Sequence, residues 1–278
     1  MQQVIDAHLH FCSDAYFHTL AKRAGHQNTA EHLSEQYRYF HICHGVVMGN
    51  RDLDLASHRY PDYLSYCIGL DDGLSWSLPK SLPLIEKHLQ KKACVGIKLY
   101  PGYCHYYVSD PMFASLYELA QAYNKPVAIH TGETAGQLGR LKFSHPLTVD
   151  DAASQFPKVH FVLCHFGNPW VLDAAAVLAK NENTSADLSG LLEGTVDIQA
   201  FWRDSPGYIS YLQTWLNYAG AYDRLMYGTD WPLVNIENYL DFIARLIPEA
   251  HHDAVFLRMQ TASIGWVFKF CRKTEKSI

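Results

Sequence analysis

Eight short runs of apolar, largely β-branched or aromatic residues recur along this chain, with helical spacing between them. That alternation narrows the fold more than any other feature. The runs cover residues 4–10, 44–48, 63–70, 95–100, 127–131, 160–165, 184–189 and 224–229. Several are apolar almost end to end, as strands covered on both faces should be. Between them, Asp110 is placed to cap a helix with Pro111 at its first position. Phe113, Leu116, Leu119, Ala120 and Tyr123 then fall on one face before Asn124 stops it. Asn235 opens another helix, with Ile236, Tyr239, Leu240, Ile243 and Leu246 on one stripe and Pro248 beyond it. Residues 170–179 and 82–89 repeat the theme, and a short helix is expected within 51–62. A last helix after Pro248 carries Val255, Met259, Ala262, Trp266 and Phe270. Eight strands alternating with helices in 278 residues fit an α/β fold, a single (β/α)8 TIM barrel over residues 1–278 with a C-terminal helical extension. A doubly wound sheet is the other α/β solution. It calls for a glycine-rich phosphate turn, and the sequence has neither G-x-G-x-x-G nor a Walker pattern.

Charge and cysteine usage bound the partners. The formal charge is −5, and the only dense basic stretch is residues 272–276 at the end of the chain, which argues against nucleic acid. The cysteines at 12, 43, 67, 94, 104, 164 and 271 are odd in number and include no C-x-x-C, which suits thiols in a reducing cytoplasm. No apolar run approaches the roughly 18–20 residues of a membrane span. Met1-Gln2-Gln3 leads straight into the first strand without a secretion signal. The expectation is a cytoplasmic protein acting on a small molecule, with no nucleic-acid or membrane partner and with self-association left open.

Chemistry gathers at the strand ends. His8-Leu9-His10 alone says little, because 16 histidines give roughly one H-x-H by chance in such a chain. Its setting says more. Strict alternation puts Val4, Asp6, His8 and His10 on one face and the wholly apolar Ile5, Ala7, Leu9 and Phe11 on the other, so the first set should face the barrel interior. The fifth run leads to His130, the sixth to His165 and the eighth to Asp230, all at the carboxyl ends where barrel active sites sit. Imidazoles and one carboxylate suit zinc or a similar divalent ion with an open position. Cys164 should alternate outward from His165, which disfavours a Cys–His dyad, and no G-x-S-x-G elbow exists. His18, His26, His32, His41 and His44 fall between the first two strands, where some could line an entrance.

These residues carry a resemblance. H-x-H on strand one, His on strands five and six and Asp on strand eight resemble the amidohydrolase superfamily. The phrases IDAHLHF, PVAIHTGET, VLCHFGNPW and YGTDWP are similar to its amidohydrolase-2 branch, which also holds decarboxylases and lactonases. The resemblance spans the chain and implies a metal-dependent barrel, with His8, His10, His130 and Asp230 as ligands and Asp230 also moving the proton of an attacking water. His165 would orient that water or the developing oxyanion, or bind a second ion.

Lys98, in GIKLYP, faces inward with Val95, Ile97 and Leu99 outward. Dinuclear relatives carboxylate such a lysine to bridge a second ion. The expectation here is one ion, zinc, with Lys98 contacting a substrate anion, and the structural alternative is an ion pair with Asp6. Tyr100, Glu133, His145, Asn168 and Trp231 are further substrate-contact candidates. The reading is a hydrolase of a C–N or ester/lactone bond in a small anionic substrate. The alternatives are a non-oxidative decarboxylase of an unsaturated or aromatic acid, for which Arg23 is the nearest arginine, and a non-catalytic binding barrel.

Overall fold

The computed structural model describes residues 3–49, 52–70 and 77–257. Its strands are β1 (Val4–Leu9), β2 (Ile42–Met48), β3 (Leu64–Leu70), β4 (Cys94–Leu99), β5 (Val127–Ile129), β6 (Phe161–Leu163), β7 (Thr184–Asp187) and β8 (Leu225–Met226). They lie side by side in chain order, each parallel to the next. Three backbone bonds close the ring between β1 and the segment after β8. Ala7 N–H donates to the Tyr227 carbonyl (2.8 Å), Asp230 N–H to that of His8 (2.8 Å) and His10 N–H to that of Trp231 (2.7 Å). The result is the expected TIM barrel.

Two apolar clusters separate inside from outside. Ile5, Ala7, Val46, Met48, Cys67, Val95, Ala128, Val162, Cys164 and Met226 pack together with no residue of the outer α-helices among them, so they fill the barrel interior. Leu9, Ile68, Ile97, Leu99, Ile129 and Leu163 pack outward with helix residues such as Leu116, Leu178 and Tyr239. The strict alternation read for β1 therefore fails. Ile5 and Ala7 point in, while the fully buried Asp6 bonds to Tyr37 of the outer layer. A register shift between Asp6 and Leu9 is the cause, because three steps along β1 match only the two from Gly45 to Val47 on β2. Val95 also turns inward, at a second shift against β3.

Local signals place the helices. Asp14 caps α1 (Ala15–Arg23) by accepting from Phe17 N–H, and Thr29 caps α2 (Ala30–Tyr39) by accepting from His32 N–H. Asn235 caps the helix Ile236–Leu246 as expected. The Asp110 carboxylate accepts from Tyr107 N–H instead of capping, and Pro111–Phe113 forms a 3-10 turn leading into the helix Ala114–Ala122. No helix forms over 52–62. Asp52 and Asp54 take the backbone N–H groups of Asp54 and Ala56. The loop is held by His58 Nε2 donating to the Asp52 carbonyl and His88 Nε2 to that of Leu53, each at 2.9 Å.

The C-terminal piece begins as the helix His252–Leu257, with Val255 and Phe256 buried. Met259, Ala262, Trp266 and Phe270 lie outside the described residues. Cys12, Cys67, Cys94, Cys104 and Cys164 are free thiols. Among the described residues no helix is long and apolar enough to cross a membrane.

Burial pushes the imidazoles of His26, His44 and His160 down to about 4, below the roughly 6.5 of an unfolded histidine. The unfolded chain then binds more protons across that window, so stability falls as pH drops. Asp6, raised by burial to about 6, opposes this with one proton against three. The thermal midpoint of the metal-free protein should fall steadily from pH 6.5 to 4.5, and a flat or rising profile in calorimetry would contradict the account.

Candidate metal centre

β1 ends where His8 and His10 emerge, and the seam bonds set Asp230 beside them. Gly228 permits this approach, since a Cβ there would stand 2.8 Å from His8 Cβ. Asp230 Oδ1 lies 3.2 Å from His10 Nε2 and 3.4 Å from His8 Nε2, and its Oδ2 lies 3.9 Å from His165 Nδ1. Asp230 itself sits at a left-handed φ of 52° in the turn that aims it inward. Among the described residues two groups have mutually close ligand atoms: His8, His10 and Asp230, and His8, His165 and Asp187.

Proton bookkeeping shows what the cluster lacks. His8 Nδ1 is 2.8 Å from Asp187 Oδ2, so it donates, and its Nε2 carries a lone pair. That lone pair faces a carboxylate oxygen. His8 Nε2 and Asp230 Oδ1 are buried without hydrogen-bond partners among the described residues and face each other at 3.4 Å, an arrangement that costs free energy unless a cation joins them. A second deficit lies beside it. His130 Nε2 donates to the Glu133 carbonyl (2.8 Å), His130 Nδ1 meets His165 Nε2 (3.1 Å), His165 Nδ1 meets Ser189 Oγ (2.8 Å), and Ser189 Oγ meets Asp187 Oδ1 (2.5 Å). Two neutral imidazoles and one hydroxyl offer three protons for these four contacts. A cation at His130 Nδ1 would relieve the shortfall.

Charge states agree with that reading. Desolvation lowers His8 and His130, and pushes His165 down to about 4, so the imidazoles are neutral. Burial alone would raise both carboxyls. The His8 contact instead holds Asp187 well below the usual range. Neutral imidazoles with ionised carboxylates are the donor set of a divalent-ion site.

The structure brings His8, His10, His165 and Asp230 together. His130 joins them through His165 but stands outside both close groups. Lys98 points into the barrel, where its Nζ meets Cys164 Sγ at 2.7 Å. That corrects two expectations. Cys164 faces inward because it continues the alternation of inward Val162 and outward Leu163, and it is His165, at a left-handed φ of 61°, that breaks the alternation and still reaches the centre. The Lys98–Asp6 ion pair does not form, since Asp6 is bonded to Tyr37 and Thr229.

Tyr100 stacks over His130 with ring centroids 6.4 Å apart and donates its hydroxyl to the Gly49 carbonyl. Glu133 is exposed at the rim, and half-buried Asn168 accepts from Tyr208. His145 is drawn away, 3.5 Å from Asp173 and packed on Trp170. Trp231 is buried against His26 and has no open face. Asp187 and Ser189 were missed by sequence reasoning. Asp187 ends β7 just as the other polar residues follow strands five, six and eight, so the same strand-end test would have found it.

The amidohydrolase family profile (Amidohydrolase) matches residues 5–257. Solved structures share the fold at low identity. One is a probable 2-pyrone-4,6-dicarboxylic acid hydrolase from Acinetobacter baumannii with citric acid bound (17% identity, TM-score 0.61, covering 96% of this chain and 100% of that one). Another is 5-carboxyvanillate decarboxylase from Sphingomonas paucimobilis (14%, 0.60, 97% and 99%). A third is an amidohydrolase from Burkholderia multivorans with zinc bound (16%, 0.60, 92% and 96%). No curated protein matches the sequence.

Asp187 fixes the His8 tautomer that leaves Nε2 free. Asp187→Asn should weaken zinc binding about 10–100-fold, as loss of such outer partners does. Titration calorimetry giving wild-type affinity would show that Asp187 has no part in the centre.

Proposed function

The chain belongs to the amidohydrolase family, and on that premise we propose that it is a metal-dependent hydrolase of a C–N or ester/lactone bond in a small molecule. The observation that carries this is the buried Asp230 carboxylate, with one oxygen toward the imidazoles of His8 and His10 and the other toward His165. His8, His10, His130 and Asp230 would hold the ion, and the zinc in a structural neighbour supports that metal. When bound, the ion supplies polarisation of a substrate oxygen and a lowered pKa for water.

The chain's own residues do the rest. Asp230 accepts the proton of the attacking water at Oδ2 and returns it to the leaving group. His165, 3.9 Å from Asp230 Oδ2 and tethered by Ser189, would orient the attacking water or the developing oxyanion. Tyr100, with Tyr103 edge-on to His130 at 5.0 Å, forms one wall of the pocket.

Charge limits the substrate. Lys98 is the inward cation, whereas Glu193 stands near Asp230 and Glu133, and desolvation together with those two carboxylates raises its carboxyl. A substrate with one inward-directed anionic group fits this arrangement better than a polyanion. The decarboxylase reading uses the same centre, and decarboxylases are among the structural neighbours.

Lys98 also bears on the metal count. Its contact with Cys164 favours an uncarboxylated amine and one ion per chain. Elemental analysis should give one equivalent of zinc, unchanged by added bicarbonate, and Lys98→Ala should raise KM while leaving metal content alone. Two equivalents would overturn the single-ion reading.

Asp230→Asn keeps one oxygen donor but cannot take the proton. On a substrate found by screening lactones, amides and aromatic acids, it should lower kcat by at least ~10²-fold with the fold intact. Near-normal turnover would make Asp230 structural and defeat the mechanism. Carbon dioxide release from the aromatic acids, with no hydrolysis of the lactones or amides, would replace this reading with the decarboxylase one.

A further inference from the structure

We propose that Asp6 is a positioning residue of the metal centre, setting the distance between the His8/His10 pair and Asp230; this rests on the metal reading above. The Asp6 carboxylate is fully buried and accepts four hydrogen bonds. Its Oδ1 receives His8 N–H (3.2 Å) and Thr229 N–H (2.9 Å), and its Oδ2 receives the Thr229 hydroxyl (2.6 Å) and the Tyr37 hydroxyl (2.8 Å). His8 is itself a proposed ligand, and Thr229 immediately precedes another. One side chain therefore clamps the two ligand-bearing segments across the seam that closes the barrel.

The third anchor comes from outside the sheet. Tyr37 sits on α2 and reaches Asp6 across Gly45, the residue paired with Asp6 on β2. A Cβ at Gly45 would stand 2.6 Å from the Tyr37 hydroxyl oxygen, so the path exists because that residue is glycine. The Thr229 hydroxyl, donating to Asp6, also accepts from Trp231 N–H (2.9 Å), which ties both neighbours of Asp230 to the same carboxylate. An ordinary seam needs only its backbone bonds. A carboxylate with four converging donors is costly to bury and is repaid where the position of its neighbours matters.

Asparagine offers one acceptor oxygen and a donating amide where Asp6 meets four donors, so Asp6→Asn must lose several of these bonds. The test is zinc affinity, read by competition with a chromophoric chelator, together with thermal midpoints with and without zinc. Asp6→Asn should bind zinc about 10–100-fold more weakly. It should lose more midpoint with zinc than without, because binding to the native state adds stability in proportion to log affinity. Tyr37→Phe leaves the carboxylate in place and removes one anchor. It should weaken zinc binding by about tenfold, the lower end of that range, and it carries the test should Asp6→Asn not fold. Wild-type zinc affinity in both variants, or equal midpoint losses with and without zinc, would make Asp6 merely structural. A wild-type protein that binds no zinc would overturn the metal reading and this inference together.

Discussion

The candidate site depends on how the barrel closes. β8 is only two residues long, and ring closure is carried by backbone bonds from Ala7, His10 and Asp230 that alternate across the seam. Those bonds run through three residues within or next to the proposed ligand set. A barrel closed elsewhere, or with a different stagger, would separate His8 and His10 from Asp230. Fold and centre are therefore one constraint. Gly228 allows the approach, and the register shift in β1 lets Ala7 face the apolar interior while Asp6 bonds to Tyr37 of the outer layer.

Electrostatics then explains why the cluster holds together only in part. Burial favours neutral imidazoles, and the Asp187 carboxylate stays ionised through the proton that His8 Nδ1 shares with it. Asp187 organises this arrangement. One of its oxygens fixes the His8 ring, and the other takes the backbone N–H of His165 and the Ser189 hydroxyl. What remains is a set of lone pairs facing one another with too few protons between them. Such a surplus of acceptors in a desolvated place is the electrostatic complement of a divalent ion.

Much of this was legible in the sequence because it follows from periodicity. Eight apolar runs located the eight strands, and polar residues at their carboxyl ends located His130, His165 and Asp230. What escaped was governed by departures from periodicity. The alternation rule misplaced Asp6 and the inner face of β1, because one register shift inverts the faces beyond it. Cys164 was misplaced because its face was inferred from His165, whose left-handed backbone departs from the alternation that Val162, Leu163 and Cys164 keep. The helix expected within 51–62 lost to side-chain bonds from Asp52 and Asp54 and to anchors from His58 and His88, which lie far apart in sequence. His145 and Trp231 looked like pocket residues by position in the chain, but tertiary partners drew them elsewhere.

The central claim is that the barrel seam builds a divalent-ion site from His8, His10 and Asp230, with His130 completing it. Anomalous diffraction at the zinc absorption edge, from crystals of the zinc-loaded protein, tests it most directly. The account predicts one strong peak within bonding distance of His8 Nε2, His10 Nε2 and an Asp230 oxygen. A peak confined to another part of the molecule, such as the His26–His32 pair, or no peak under saturating zinc, would contradict it.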